Sequence, residues 1–263
     1  MRHRILVLLS VLFALTAVSL ADEWKKEFTT SAKPTIRVDA NDANIEVQAA
    51  DSNKIEALVV TSRGKISPDE VRITDRQNGD RIDLEIRRPS HHFCIGICNQ
   101  YVRVSLQVPR SSNLELHTGD GHITVDDVKG EVRLDSGDGE LTGRSLDGML
   151  SADTRDGSIR VTGRFDRLDL HTGDGNINAE IGAASKMGSS WALRSGDGTI
   201  TLRLPADFSA DVDAHTGDGH VSSDFAITVS GALKENSLRG RLNGGGALLE
   251  VRTGDGDIRL QKF

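Results

Sequence analysis

Large side chains are scarce in this sequence: aromatic residues make up 4% of its 263 positions, with two Trp and one Tyr. Conventional sandwich and helical cores lean on such residues, so a fold of many small, regular layers is expected instead. Proline is sparse at 5 residues, whereas glycine reaches 27. There is no basic excess, because 32 Lys and Arg face 39 Asp and Glu, a net charge of −7. The first 21 residues hold Arg2 and Arg4 and no acid, so the remainder is more acidic still. That balance argues against a protein that neutralises a nucleic-acid backbone or adsorbs to an anionic membrane.

Long apolar runs are confined to the start. Arg2, His3 and Arg4 precede a stretch from Ile5 to Leu20 interrupted only by Ser and Thr, and Ser19-Leu20-Ala21 offers a small-x-small cleavage site before Asp22. Residues 1–21 read as a signal peptide, with 22–263 as one exported domain, periplasmic or extracellular. A retained anchor is disfavoured because the stretch falls short of the ~20 residues a spanning helix needs, and no membrane span is expected after cleavage. Phe263 matches the last residue of outer-membrane barrel strands, but Asp257, Arg259 and Gln261 would then face lipid.

What the sequence does have is a repeat. Gly-Asp-Gly recurs with its Asp at 120, 138, 174, 197, 218 and 255, and Arg-Asp-Gly supplies Asp156. The first four are eighteen residues apart, and later intervals of 23, 21 and 37 suit loops inserted into regular turns. Six residues before each Asp stand Leu114, Val132, Leu150, Leu168, Trp191, Val212 and Leu249. Three residues after it stand Ile123, Leu141, Ile159, Ile177, Ile200, Val221 and Ile258. Polar residues alternate with these, the period of a strand with one side inward. The pattern predicts an all-β fold: a parallel β-solenoid, β-helix-like, stacking rungs of about 18 residues ~4.8 Å apart, with hairpin insertions.

Glycine is assigned to the turns for its access to positive φ, and the Asp between as an acceptor for nearby backbone N–H groups. A second corner recurs at Gly130, Gly148 and Asp166. Upstream, Asp42 taken as a turn residue makes Ile36–Val47 a first degenerate rung. Stretches at Ile55–Thr61, Val71–Asp75, Arg81–Arg87 and Tyr101–Val108 alternate as hairpins or longer rungs would. Phe225–Gly246 reads as a looped-out hairpin before a last rung at Leu249–Leu260.

These turns, with the run Leu238-Arg239-Gly240-Arg241-Leu242-Asn243-Gly244-Gly245-Gly246 and then Thr253-Gly254-Asp255-Gly256-Asp257-Ile258, resemble the bacterial adhesin-like family catalogued as a domain of unknown function. The resemblance covers roughly Thr35 to Leu260. It implies a parallel, solenoid-like all-β domain exported to the cell envelope, with no established catalytic residues to carry over.

Three residue groups are candidates for chemistry. The turn ladder Asp120, Asp138, Asp156, Asp174, Asp197, Asp218 and Asp255 would place like charges ~4.8 Å apart, each pair repelling by about 0.9 kcal/mol in water. Ca²⁺ between turns would offset this, but the known calcium-binding coil repeats every nine residues with another glycine pattern, so a plain hydrogen-bonded ladder is preferred. Three residues before each Asp runs an outward column, His117, Asp135, Asp153, His171, Arg194, His215 and Arg252. It is a candidate binding face; shared protons or transition-metal chelation are weighed against a solvated face of alternating charge, which is preferred.

The third group is His91-His92-Phe93-Cys94-Ile95-Gly96-Ile97-Cys98. Cys-x3-Cys with adjacent His lacks zinc-finger spacing, and export favours a Cys94–Cys98 disulfide at the tip of a hairpin between Ile82–Ile86 and Tyr101–Val108. No metal and no cofactor are expected. There is no Ser-centred nucleophile elbow, no His-Glu-x-x-His and no phosphate-cradling loop. The function expected is therefore a non-catalytic binding or structural protein of the cell envelope, whose partner is an envelope polymer such as a glycan, or a protein surface. The alternative is a carbohydrate-active β-helix enzyme, a polysaccharide lyase or hydrolase, with Lys186–Trp191 and Lys234–Gly246 overhanging a groove.

Overall fold

The computed structural model describes residues 22–31, 33–62, 65–88, 101–229 and 234–263. The expected signal peptide over 1–21 lies outside the described residues. The described chain is all β, with no helix. Its strands begin with β1 (Asp22–Thr29), β2 (Thr35–Ala40), β3 (Ala43–Ala50), β4 (Lys54–Thr61), β5 (Arg72–Asn78), β6 (Arg81–Arg87) and β7 (Val102–Pro109). The centre holds β8 (Asn113–Thr118), β9 (Ile123–Asp126), β10 (Lys129–Ser136), β11 (Leu141–Thr154), β12 (Ile159–Thr172) and β13 (Ile177–Ile181). There follow β14 (Trp191–Ser195), β15 (Ile200–Leu204), β16 (Ala210–Thr216), β17 (Val221–Ser223), β18 (Ile227–Val229), β19 (Ser237–Leu242), β20 (Leu248–Thr253) and β21 (Ile258–Lys262).

All belong to one hydrogen-bonded sheet, mostly parallel, that runs as two ladders. The leading ladder, before the Gly-Asp-Gly turns, stacks β5, β6, β2, β8, β10, the second half of β11, the second half of β12, β14, β20, β16, β19 and β18. The trailing ladder stacks β1, β4, β7, β3, β9, the first halves of β11 and β12, β13, β15, β21 and β17. In the centre each residue pairs with its repeat equivalent: Leu114 with Val132, Val132 with Leu150, and Leu150 with Leu168. The inward side chains of both ladders form one buried cluster. Burial at about 25 cal/mol per Å² of apolar surface makes that shared core the main stabilising term. Trp191, fully buried, packs its ring 5.5 Å from that of Phe208 and donates from its indole N–H to the Asp166 carbonyl.

Stack order departs from chain order at both ends. The last rung in sequence, β20–β21, is not terminal in space. It lies between β14–β15 and β16–β17, so Leu249 pairs with Trp191 on one side and Val212 on the other. The expected looped-out hairpin exists as β18–β19, and β19 caps β16 antiparallel. At the other end β2–β3, joined at Asn41-Asp42 as expected, is flanked by β6 and β8 on one ladder and β7 and β9 on the other. The expected hairpin between Ile82–Ile86 and Tyr101–Val108 is not formed: β6 pairs with β2 and β5, and β7 with β3 and β4. The strands on either side of Cys94 and Cys98 lie as two halves of one rung, because β6 runs parallel beside β2 and β7 parallel beside β3.

The glycines of the Gly-Asp-Gly turns do not have positive φ, contrary to expectation. They are required by close approach. A Cβ on Gly139 would overlap the Gly121 carbonyl oxygen of the preceding turn. Positive φ belongs to the second corner, at 153° for Gly130, 133° for Gly148 and 154° for Gly163. Asp166, expected at that corner, is instead the extra residue of a bulge, since Gly148 pairs with Phe165 and Met149 with Arg167.

Candidate functional site

The turn edge is held by a feature the sequence reading passed over. Two residues before each turn Asp stands a buried hydroxyl: Thr118, Ser136, Thr154, Thr172, Ser195, Thr216 or Thr253. Thr172 shows the geometry. Its Oγ1 donates to the Gly157 carbonyl of the preceding turn at 2.8 Å and accepts from Gly175 N–H of its own turn at 3.1 Å. Ser195 repeats both bonds with Gly175 and Gly198, each at 2.9 Å. One small hydroxyl thus closes its own turn and ties it to the neighbour, and no buried side-chain polar atom among the described residues lacks a partner. The signal was present in sequence as Thr or Ser at the same offset in every repeat.

The turn aspartates follow the backbone stack. Asp138 and Asp156 N–H donate to the Gly119 and Gly137 carbonyls, and Asp255 N–H to Gly196. In space the row runs Asp42, Asp120, Asp138, Asp156, Asp174, Asp197, Asp255, Asp218, with the last two exchanged relative to the chain. Their carboxylates are exposed and, among the described residues, accept no hydrogen bond from the turn backbone. The expected acceptor role falls to the buried hydroxyls instead, which sit under the turn while the carboxylates point to solvent. Arg155, in the place of a turn glycine, lies 3.8 Å from Asp138 and offsets part of the like-charge repulsion.

On the outward face of the leading ladder the candidate column forms one row across successive strands. His117 pairs in register with Asp135, Asp135 with Asp153, Asp153 with His171, and His171 with Arg194. Arg252 then intervenes before His215. His117 Nδ1 contacts the Asp135 carboxylate. Burial pushes the Asp153 carboxyl up from its ordinary range, Asp135 and Asp169 add to the rise, and His171 opposes it. Asp135 thus lies in contact with the His117 imidazole, whereas Asp153 sits in register between Asp135 and His171. Farther along, Arg194 contacts Glu250 and Arg252 bonds Asp213 at 2.9 Å, so these cations are already engaged. Among the described residues no three His, Cys, Asp or Glu side chains converge as metal ligands. Cys94 and Cys98 lie outside the described residues.

The segments expected to overhang a groove do meet. Lys186 and Met187 line a cavity of about 370 Å³ together with Pro205, Phe208, Gly245 and Gly246. Among the described residues Asp207 is the one carboxylate that lines it. A larger depression of about 630 Å³ lies on the trailing ladder's outward face, a place the repeat pattern did not single out.

The Toastrack DUF4097 family profile matches residues 104–261. This chain belongs to that family. Three solved structures are similar to the Toastrack chain. A candidate cell adhesion protein of Clostridium sporogenes is 15% identical, covering 93% of this chain and 100% of its own, with a TM-score of 0.45. A candidate adhesin of Bacteroides fragilis is 11% identical over 92% and 97%, with a TM-score of 0.49. A candidate lipid binding protein of Parabacteroides distasonis is 14% identical over 91% and 96%, with a TM-score of 0.42. No curated protein matches the chain.

Proposed function

We propose that this Toastrack chain is an exported, non-catalytic binding protein of the cell envelope, whose coil of roughly 18-residue rungs displays side chains in fixed rows to a repeating polymer such as a glycan. The observation that carries the reading is the outward row Asp39, His117, Asp135, Asp153, His171, one residue per strand in unbroken parallel register. Rows at a ~4.8 Å pitch suit a ligand with its own repeat better than a compact molecule. Export, cleavage after Ala21 and the Cys94–Cys98 disulfide belong to the same reading. Fractionation of the producing cell, intact mass of the mature chain, and glycan-array and envelope pull-down assays test it. Cytosolic recovery of an uncleaved chain, or arrays and pull-downs at background, would refute it.

A second reading, a carbohydrate-active enzyme, is favoured by one observation: Asp135, in contact with His117, lies in register beside Asp153, whose carboxyl is pushed up. Acid–base work on a glycosidic bond needs two carboxyls in different environments. New reducing ends or unsaturated products from acidic polysaccharides, abolished by Asp153→Asn, would establish it over the binding role.

A further inference from the structure

A broad depression crosses the outward face of the trailing ladder where the antiparallel cap meets the parallel stack. Its lining comes from six adjacent strands: Lys25 of β1, Glu56 and Leu58 of β4, Ser105 and Gln107 of β7, Glu46 and Gln48 of β3, Thr124 and Asp126 of β9, and Arg144 of β11. Register explains the hollow. Leu58, Ser105, Glu46 and Thr124 form one row, so two short hydroxyl side chains alternate with longer ones. The next row, Glu56, Gln107, Gln48, Asp126, Arg144, supplies a taller wall.

Charge in this hollow is internally balanced. Lys25 lies 3.6 Å from Glu56, Arg103 3.4 Å from Glu46, and Arg144 3.0 Å from Asp126. What is left uncommitted is neutral. Among the described residues the Ser105 and Thr124 hydroxyls and the Gln107 carboxamide have no side-chain hydrogen bond, although Ser105 and Thr124 are half-buried. Leu58 turns away from the core, since its neighbours Ala57 and Val59 are the buried ones. Free hydroxyls and an amide beside an aliphatic platform, with every ion paired, are the groups that recognise an uncharged chain carrying both hydroxyls and C–H faces. An extended peptide would need open backbone donors and acceptors, but β7, β3 and β9 are each paired on both sides.

We infer that this six-strand hollow is the site at which the protein binds a neutral oligosaccharide, with Ser105, Thr124 and Gln107 as the hydrogen-bonding residues and Leu58 as the apolar contact. The inference rests on the envelope-binding reading, but it narrows the ligand to a neutral sugar and places it on the trailing ladder instead of the His117–His171 row. The volume of about 630 Å³ lies within the ~300–1,000 Å³ range of small-ligand sites, so a few sugar rings are engaged at once.

The test is titration calorimetry of the full mature chain with maltohexaose, cellohexaose and chitohexaose, alongside Ser105→Lys and Thr124→Lys, which fill the floor, and Leu58→Ala as a milder change. Ser151→Lys, on the outward face of the other ladder, is the control, and thermal melting of each variant checks folding. At least one hexasaccharide is expected to bind, at least tenfold more weakly to the filled variants and several-fold more weakly to Leu58→Ala, with Ser151→Lys unchanged. Equal binding by all folded variants would overturn the site. Loss in Ser151→Lys alone would move binding to the other ladder and leave the envelope role standing. Binding of acidic glycans or extended peptides but none of the three hexasaccharides would overturn the neutral class, again without the envelope role. Silence toward every glycan and envelope extract would overturn both.

Discussion

The middle of the stack and its two ends are built from the same rung but closed differently. From β8 to β13 the chain climbs one rung per repeat, and from β10 on each new strand lands on its equivalent in the rung just made. At the ends it does not: β3 pairs with β9 far downstream, and β20 lands beside β14 only after β16–β19 have been laid down. Local rungs close short loops, whereas the end rungs must bring together distant segments and lose more chain entropy in doing so. The middle should therefore hold together by turn geometry and the ends by intercalated strands. The ends also stop the parallel stack from offering a long open edge, since short β17 and β18 and the charge-rich β1 and β5 are poor templates for another chain.

The severest break of the middle is Gly139→Ala. Its Cβ would overlap backbone rather than a movable side chain, so denaturant unfolding should show a loss of about 3 kcal/mol or more, if the variant folds. A loss under about 1 kcal/mol would mean that the turns are not in contact. At the C-terminal end Leu249→Ala should destabilise by about 2–5 kcal/mol. Because Leu249 is fully buried between β14 and β16, hydrogen exchange should accelerate in β14–β19 while β8–β10 stay protected. Uniform acceleration along the chain would erase the distinction between end and middle.

Thr172→Val tests the hydroxyl staples. It removes a bond to Gly157 and strands the Gly175 N–H, for an expected loss of about 1–3 kcal/mol. The smallest effects are electrostatic and of opposite sign. At the N-terminal end the Arg87 guanidinium, bonded twice to Asp39 at 2.9 Å, holds that carboxyl below its ordinary range. Its stabilisation is present above the ordinary carboxylate range and is lost as pH falls through the lowered value. In the middle, the raised Asp153 favours the fold below that range and loses this contribution as pH rises through its own value. Asp39→Asn should thus lower Tm at neutral pH and Asp153→Asn should raise it, with both differences vanishing in strong acid. Shifts of the same sign would contradict these assignments.

The middle was legible in the sequence because a period of two within a period of eighteen overdetermines it. Leu114, Val132, Leu150 and Leu168 are all buried where the alternation places them. Even at Val221 the exception is instructive: β17 is an edge strand with one neighbour, so that side chain is only half-buried. The ends were not legible, since a repeat unit carries no mark of which other unit it lies beside. Leu249 is as aliphatic as Leu150, and nothing local says that it separates Trp191 from Val212. Turn chemistry was misread for a related reason. Gly-Asp-Gly attracts notice by charge, yet the Thr or Ser before it does the bonding, and its glycines answer to the neighbouring turn rather than to their own φ. The hollow around Ser105 was invisible because it arises from side-chain lengths on six strands, three of them outside the repeat.

The most direct test of this arrangement is disulfide trapping in a Cys94→Ser, Cys98→Ser background. Ala192, Glu250 and Asp213 form one outward row. Paired cysteines at 192 and 250 should close readily, because adjacent strands fall within the ~4.4–6.8 Å Cα range a disulfide spans. The pair at 192 and 213, two strands and about 9.6 Å apart, should remain as free thiols. Closure of 192 with 213 and not with 250 would put β16 beside β14, restore simple chain order to the stack, and contradict the intercalated C-terminal rung.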